Sequence, residues 1–289
     1  MSAMSAAASV EAGLLTILLA VAVALLAAGY GRGVHELWAR RGAGEVLPGW
    51  RVAAFGAGVL IVLAADGGPL AVLAQRSFAG HMTQHMVLLL VAGPLLAAGA
   101  AGLPLSLACP LRLRRRLARL RSARGTRWLR RPVNTALVAG AVQTLVLWVW
   151  HLPIPYVAAL DRPAVHALEH VCFVAGSWLL WAPILGAPRH RLPAPVALLL
   201  LVGTMLPASA LGAALTFAPR PVYPLRALGP DPLADQQLAG LLMWAPMDVA
   251  VLVAALTVFL RWLLRLQRQH PDEVGPPERA SARTEGVLR

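Results

Sequence analysis

The stretch HMTQHM, residues 81–86, runs directly into the apolar run VLLLVAGPLL, residues 87–96. Because these polar residues head a long apolar run, we expect them to form the first turns of a membrane-spanning helix. His81 and His85 are four residues apart and share one helix face, and Met82 and Met86 repeat this spacing on the adjoining strip. Paired imidazoles beside paired thioethers suit copper, whereas the imidazoles alone would also suit zinc or iron.

A second histidine pair, His166 and His170, opens another apolar run and has Glu169 between its members. An i, i+4 pair of histidines on a helix is a known arrangement for holding a metal ion. Two such pairs on different helices therefore predict a metal site formed by His81, His85, His166 and His170. A single histidine near a membrane surface is commonly an anchor, so the prediction depends on the two pairs lying at one depth.

The composition is typical of an integral membrane protein. Hydrophobic residues make up 58% of the 289 residues and charged residues only 13%, whereas soluble proteins carry about 25% charged residues. The net charge is +13 and every basic residue is arginine. These arginines lie between apolar segments, which indicates membrane topology rather than nucleic-acid binding. Cys109 and Cys172 lie in different segments, so neither a disulfide framework nor a cysteine-based zinc site is indicated.

Seven apolar segments approach the length of about 20 residues that a spanning helix needs. The predicted fold class is therefore all-α, with residues 1–269 forming one polytopic membrane domain of seven transmembrane helices. The second segment is the weakest, because DGGP at residues 66–69 follows it and it could continue irregularly through Leu70–Leu73. Residues 270–289 are predicted to be a disordered cytoplasmic tail. The seven segments are Glu11–Tyr30, Trp50–Ala65, Phe78–Gly99, Val133–His151, Val165–Leu185, Pro195–Phe217 and Leu238–Leu264.

The arginines predict the orientation of these helices. Of the 26 arginines, 22 follow the first, third, fifth and seventh segments, and the alternate loops hold only Arg76, Arg162, Arg220 and Arg226. Because arginine accumulates on the cytoplasmic side, we expect the amino terminus outside and the carboxyl terminus in the cytoplasm. The loop at residues 112–131 is interpreted as a topology signal on a solvated segment, with contact to anionic lipid or a partner as the alternative.

With this orientation, the histidines are expected on two different sides of the membrane. His35, His190 and His270 fall on the cytoplasmic side, and the other five fall near the outer surface. The sequence therefore predicts a metal site at the outer face, with exposed imidazoles and thioethers that would let a metal exchange. The five outer histidines are His81, His85, His151, His166 and His170.

Further side chains could support this site. His151 ends the fourth helix and is either a ligand from a third helix or an interfacial anchor. Glu169 could be a ligand, hold an imidazole in one tautomer, or be a helix-start carboxylate favoured by the helix dipole. On their own, Met82, Met86 and Met243 would be interpreted as packing residues. They are candidates for supporting the metal site only because histidines lie next to them.

The seventh helix contains two carboxylates. Asp235 is predicted to be the N-cap of that helix. Asp248 lies near the membrane midplane, where a carboxylate is either a functional group or hydrogen-bonded to a neighbouring helix. Pro246 frees a backbone carbonyl nearby.

Several motifs resemble the CtaG-type cytochrome c oxidase assembly factors associated with bacterial caa3 oxidase. They are HMTQHM at 81–86, GPLL at 93–96 and Leu103-Pro104, followed in the same order by WHLP at 150–153, HALEH at 166–170 and DQQLAG at 235–240 with Met243-Trp244. The resemblance extends from Trp50 to Trp262. It implies a polytopic plasma-membrane protein that takes part in maturing a haem–copper oxidase at its copper centres.

The predicted function is non-enzymatic: an assembly factor that captures copper and delivers it at the outer face of the plasma membrane. Copper is the expected cargo, haem–copper oxidase subunits and membrane lipid are the expected partners, and no nucleic acid is expected. One alternative is a membrane hydrolase in which Glu169 or Asp248 acts as the base for a zinc-bound water. The other is a haem or quinone redox protein. Histidine pairs spaced i, i+4 near the membrane surface do not fit this alternative well.

Overall fold

A computed structural model describes residues 3–123, 126–224 and 230–269, and within these ranges the chain is helical with no strand. Seven helices are long and apolar enough to cross a membrane, which confirms the predicted all-α class and the number of spans. The helices are α1 Ala3–Arg41, α2 Gly49–Gly67, α3 Pro69–Ala74, α4 Phe78–Val87, α5 Gly93–Ala98, α6 Gly102–Ala108, α7 Leu111–Ser122, α8 Pro132–Trp150, α9 Pro153–Asp161, α10 Pro163–Leu185, α11 Ala194–Thr216 and α12 Pro232–Gln269.

The spans agree with the sequence prediction in place but not always in length. α1 and α12 extend well beyond the predicted segments, to Arg41 and Gln269 respectively. The weak second segment is a full helix, and the chain breaks only at Gly68 before continuing as the short helix α3. The predicted tail at residues 270–289 lies outside the described residues.

The arginine-rich loop contains a helix that was not predicted, α7. Its leucines Leu113, Leu117 and Leu120 follow the i, i+4, i+7 spacing of one helix face, whereas Arg115 lies on the opposite face. The side chains from Leu111 to Leu120 are exposed. An exposed basic amphipathic helix is the kind of element that lies in a membrane interface, so this segment is more ordered than a solvated loop.

The third span consists of α4, a π-helical turn at Leu88–Ala92, and α5. The π turn arises because Gly93 donates its backbone N–H to the carbonyl of Leu88, while Pro94 has no N–H to donate. The carbonyl of Leu89 is therefore left without a helical donor, and Ser177 of α10 donates its hydroxyl to it at 2.6 Å. A polar bond between spans thus fixes the third span against α10.

The third span is the centre of the bundle. α4 packs on α12 and α3, and α5 packs on α2 and α10. α8 and α9 cover other parts of α10, and α11 lies between α8 and α12. The histidines of α4 are therefore enclosed by several helices rather than facing a single neighbour.

A buried arginine ties three helix ends together at the opposite end of the third span. Arg51 in the first turn of α2 donates to the carbonyls of Ala98 at 2.6 Å, Leu185 at 3.3 Å and Gly186 at 3.2 Å. These carbonyls lie at the carboxyl ends of α5 and α10, where the helix dipole favours a cation. The side chain is 4% exposed and lies over the Trp50 ring.

Candidate metal centre

The helix that carries the first histidine pair begins with two caps. Ser77 accepts a hydrogen bond from the backbone N–H of Gly80, and Asp235 of α12 accepts from the N–H groups of Phe78 at 2.7 Å and Ala79 at 3.1 Å. The prediction that Asp235 caps its own helix is therefore wrong. Asp231 accepts from the N–H of Ala234 in α12 instead, which leaves the Asp235 carboxylate to cap α4.

The two predicted histidine pairs meet in space. The ring centroids lie 4.3 Å apart for His81 and His85, 5.3 Å for His85 and His170, 4.2 Å for His170 and His166, and 5.1 Å for His166 and His81. These four residues are the histidine cluster. α10 can bring its pair to α4 because it packs along the π turn and α5, which continue the same span.

The Glu169 carboxylate lies next to two imidazoles of the cluster. One of its carboxylate oxygens lies 3.7 Å from Nε2 of His81 and 3.7 Å from Nε2 of His85. Ligand atoms of His81, His85, His166 and Glu169 all lie within 4.8 Å of one another, and we refer to these residues as the four-ligand group. Three of the four predicted histidines thus belong to this group, while His170 lies beside it.

The polar atoms of this region are buried without hydrogen-bond partners among the described residues. A buried polar atom without a partner costs about 1–3 kcal/mol, and a protein keeps such groups together where a ligand satisfies them. Imidazole nitrogens and a carboxylate at this spacing are chemically suited to bind one cation. The atoms concerned are Nε2 of His81, both ring nitrogens of His85, Nε2 of His166, both carboxylate oxygens of Glu169, and Nε2 of His170.

The prediction that these imidazoles are exposed is wrong. His81 is 2% exposed, His85 0% and His170 3%, and only His166 is partly exposed. The reason is the short helix α9, which the sequence did not predict: its Tyr156 ring centroid lies 5.5 Å from that of His81. Tyr156 in turn packs with Phe78 and Tyr223 in an aromatic cluster that covers this side.

A cavity of about 650 Å³ reaches the histidines from another side. It lies among α1, α2, α3, α4, α9 and α10, and His81, His166 and His170 are part of its wall. Its other polar wall residues include Asp66, Gln75 and Gln84. The cavity gives a buried metal site a route of access that an exposed site would not need.

Asp66, which forms a hydrogen bond with His170, was not predicted from the sequence. Oδ1 of Asp66 lies 2.6 Å from Nδ1 of His170, so the imidazole donates from Nδ1 to the carboxylate and its Nε2 is turned away from Asp66. The only signal in the sequence is a carboxylate in the last turn of an apolar span. The pairing itself joins residues 104 positions apart, which no local pattern reveals.

His151 and the methionines lie next to the histidine cluster. His151 donates from Nδ1 to the carbonyl of Leu147 at 2.6 Å, and its Nε2 lies 3.3 Å from Sδ of Met82. Because Nδ1 donates to a carbonyl, it is the Nε2 side of the ring that faces the thioether. Met82, Met86 and Met243 are buried in one apolar cluster with Phe78 and Phe173.

Asp248 lies outside the four-ligand group. Its carboxylate accepts a hydrogen bond of 2.5 Å from the hydroxyl of Ser209 on α11. Of the two interpretations of this intramembrane carboxylate, the structure therefore supports the bond to a neighbouring helix.

Comparison with known proteins identifies one family. A family model described as cytochrome c oxidase caa3 assembly factor matches residues 28–265. A search of curated proteins and a search of solved structures each found no match. The matched residues include every member of the histidine cluster, Glu169, Asp66 and Asp235.

Proposed function

The chain belongs to the cytochrome c oxidase caa3 assembly factors, and from this premise we propose that it binds copper and delivers it to a haem–copper oxidase. The role requires capture and transfer of the cargo and no catalysis. His81, His85, His166 and Glu169 hold the copper, and the oxidase subunits receive it on the outer side of the plasma membrane.

The main support for this proposal is that several buried polar atoms without hydrogen-bond partners lie close together. Four side chains from two spans turn their ligand atoms to within 4.8 Å of one another, although each would be more stable in water or beside a donor. The region cannot be explained as ordinary packing, because its polar atoms form few hydrogen bonds. A bound cation would remove this desolvation cost at several atoms at once.

The side chains around the group favour copper as the cargo. Three imidazoles and one carboxylate alone would also suit zinc or iron. The neighbouring Met82–His151 contact adds a soft sulfur and an imidazole nitrogen 3.3 Å apart, and thioethers favour Cu(I) over zinc. A haem–copper oxidase also needs copper during its assembly, and this need supports copper as the proposed cargo.

A zinc-dependent hydrolase is the second candidate, and one sequence feature favours it. Residues 166–170 read His-x-x-Glu-His, a pattern in which two histidines bind zinc and the glutamate acts as the base. In the structure, however, the Glu169 carboxylate lies 3.7 Å from two imidazole nitrogens of α4. This position suits a ligand better than a base that must hold a water molecule.

The proposal is tested by measuring the copper bound to the purified full-length protein. We expect stoichiometric copper in the wild type and loss of bound copper in the His81→Ala/His85→Ala double variant. A matched control is the His35→Ala/His190→Ala double variant, since both of these histidines are exposed and lie outside the cluster. Stoichiometric zinc that resists exchange by copper would contradict the proposal.

Two further measurements separate the candidates. Glu169→Gln should weaken copper binding if Glu169 is a ligand, whereas a hydrolytic base would leave metal content unchanged and abolish hydrolysis. In cells, loss of the chain should leave oxidase subunits inserted but inactive. Added copper, but not zinc, should partly restore activity by mass action. Normal oxidase activity in copper-poor medium without this chain would contradict the delivery role.

A further inference from the structure

The Asp66–His170 pair lies in the cavity wall beside the four-ligand group. The Asp66 side chain is 19% exposed and that of His170 is 3% exposed, so the pair runs from an accessible carboxylate to a buried imidazole. Both residues are part of the cavity wall together with His81 and His166, whereas His85 and Glu169 are not. Asp66 is the one carboxylate among the described wall residues, so an entering cation is attracted first to Asp66 and the imidazole that it holds, before it reaches His85 and Glu169.

His170 has a free ligand atom but lies outside the four-ligand group. Its Nδ1 donates to Asp66, and its Nε2 is buried without a partner. Its ring is nevertheless in contact with the group, with centroids 4.2 Å from His166 and 5.3 Å from His85. His170 can thus bind an ion at a point next to the site and pass it over a short distance.

We propose that Asp66 and His170 form the uptake step of the metal site. The Asp66 carboxylate attracts the cation into the cavity and, as a positioning residue, accepts a hydrogen bond from Nδ1 of His170 and so orients the Nε2 side of the ring. His170 then binds the ion first and transfers it to His81, His85, His166 and Glu169. This inference rests on the proposed function, and it assigns His170 to the path of the metal rather than to its final ligand set.

Binding by stages has a physical reason. An ion that enters a closed, buried site must lose its water or carrier ligands, and losing them all in one step is costly. A donor beside the site lets ligands be replaced one at a time. The same path is used in both directions, so a defect in it slows uptake and release equally and leaves the equilibrium affinity unchanged.

The test is the rate of copper transfer from the Cu(I) complex of bicinchoninic acid to purified full-length protein, followed by the absorbance of that complex. We expect Asp66→Asn to slow uptake by about tenfold or more, since both the attraction of the cation and the orientation of His170 are lost. Release to excess chelator should slow by a similar factor, with unchanged affinity. Asp66→Glu should restore part of the rate, and Glu36→Gln, which alters a partly exposed carboxylate of α1 that pairs with Arg40 outside the cavity, should have no effect.

A second variant blocks the cavity without touching the pair. Ala167 is part of the cavity wall, and Ala167→Phe should slow uptake while its final copper content equals that of the wild type. Wild-type rates in both Asp66→Asn and Ala167→Phe would overturn the uptake step and leave the proposed function intact. A fall in equilibrium affinity for Asp66→Asn without slower release would also overturn it, because Asp66 would then support a permanent ligand. Failure of the wild type to take up copper would overturn the proposed function itself.

Discussion

Gly93 shows how a single residue sets the distance between two spans. A methyl group added at Gly93 would lie 2.5 Å from the Cβ of Ser177 and closer still to its hydroxyl oxygen. This hydroxyl donates to the carbonyl of Leu89, which the π turn leaves without a helical donor. The close approach of α10 to the third span, and with it the meeting of the two histidine pairs, thus depends on the absence of a side chain at one position.

Gly93→Ala should therefore destabilise the protein. We expect a loss of about 1–3 kcal/mol from overpacking, seen as a lower midpoint of thermal unfolding in detergent. Gly56→Ala is the matched control in α2, because no atom lies within 4 Å of the added methyl group. It should be neutral or stabilising by up to about 1 kcal/mol, since alanine is the better helix former. Equal midpoints for the two variants would contradict the packing role of Gly93.

At this scale the sequence predicted the histidine cluster better than the residues that hold it in place. His81, His85, His166 and His170 were found because i, i+4 spacing is a local pattern that places side chains on one helix face. Asp66 and Asp235 were missed or misassigned because their partners are 104 and 157 positions away. Helical periodicity does not indicate which spans pack against each other.

At the scale of elements, α4 is stabilised by contacts with other helices rather than by its own residues alone. α4 has only ten residues before the π turn, and isolated helices of this length are marginal. Its first backbone N–H groups are capped by a carboxylate of α12, and α10 donates to the carbonyl of Leu89 in the π turn that follows α4. The seven spans were predictable from length and hydropathy, whereas α3, α7 and α9 are too short to meet the length criterion for a span.

The Asp235 cap predicts a coupling between α12 and the metal site. Asp235→Ala removes the acceptor of two N–H groups at the start of α4, and loss of such a cap costs about 0.5–2 kcal/mol. Because His81 lies in the first turn of α4, we expect weaker copper binding as well as a lower unfolding midpoint. Asp231→Ala removes an exposed cap of α12 itself and should leave copper affinity unchanged. Equal copper affinities in Asp235→Ala and the wild type would show that α4 needs no support from α12.

At the scale of the whole molecule, the bundle has two distinct ends. One end holds the histidine cluster, the cavity and the aromatic cluster, and the other holds Arg51 with its helix-end carbonyls. The amphipathic helix α7 follows α6 at the end where the arginines accumulate. The sequence alone could predict which residues lie at the same end of the bundle, because each span reverses the direction of the chain. The burial of the site could not be predicted in this way, because it depends on helices such as α9 that pack over it.

The arginine distribution predicts which of these ends faces the cytoplasm. Because 22 of the 26 arginines follow the first, third, fifth and seventh predicted segments in the sequence, we expect the end that carries α7 inside and the proposed metal site near the outer surface. A phosphatase reporter that is active only outside the cytoplasm should be active when fused after Arg162 or Arg220 and silent after Arg127 or Arg289. A fluorescent protein that folds only in the cytoplasm, fused at the same positions, should give the opposite pattern. Phosphatase activity after Arg127 and Arg289 would invert the orientation, and copper could then reach the site only from the cytoplasm. Delivery to an outer copper centre of the oxidase would in that case be excluded, whatever the affinity of the histidine cluster for the metal.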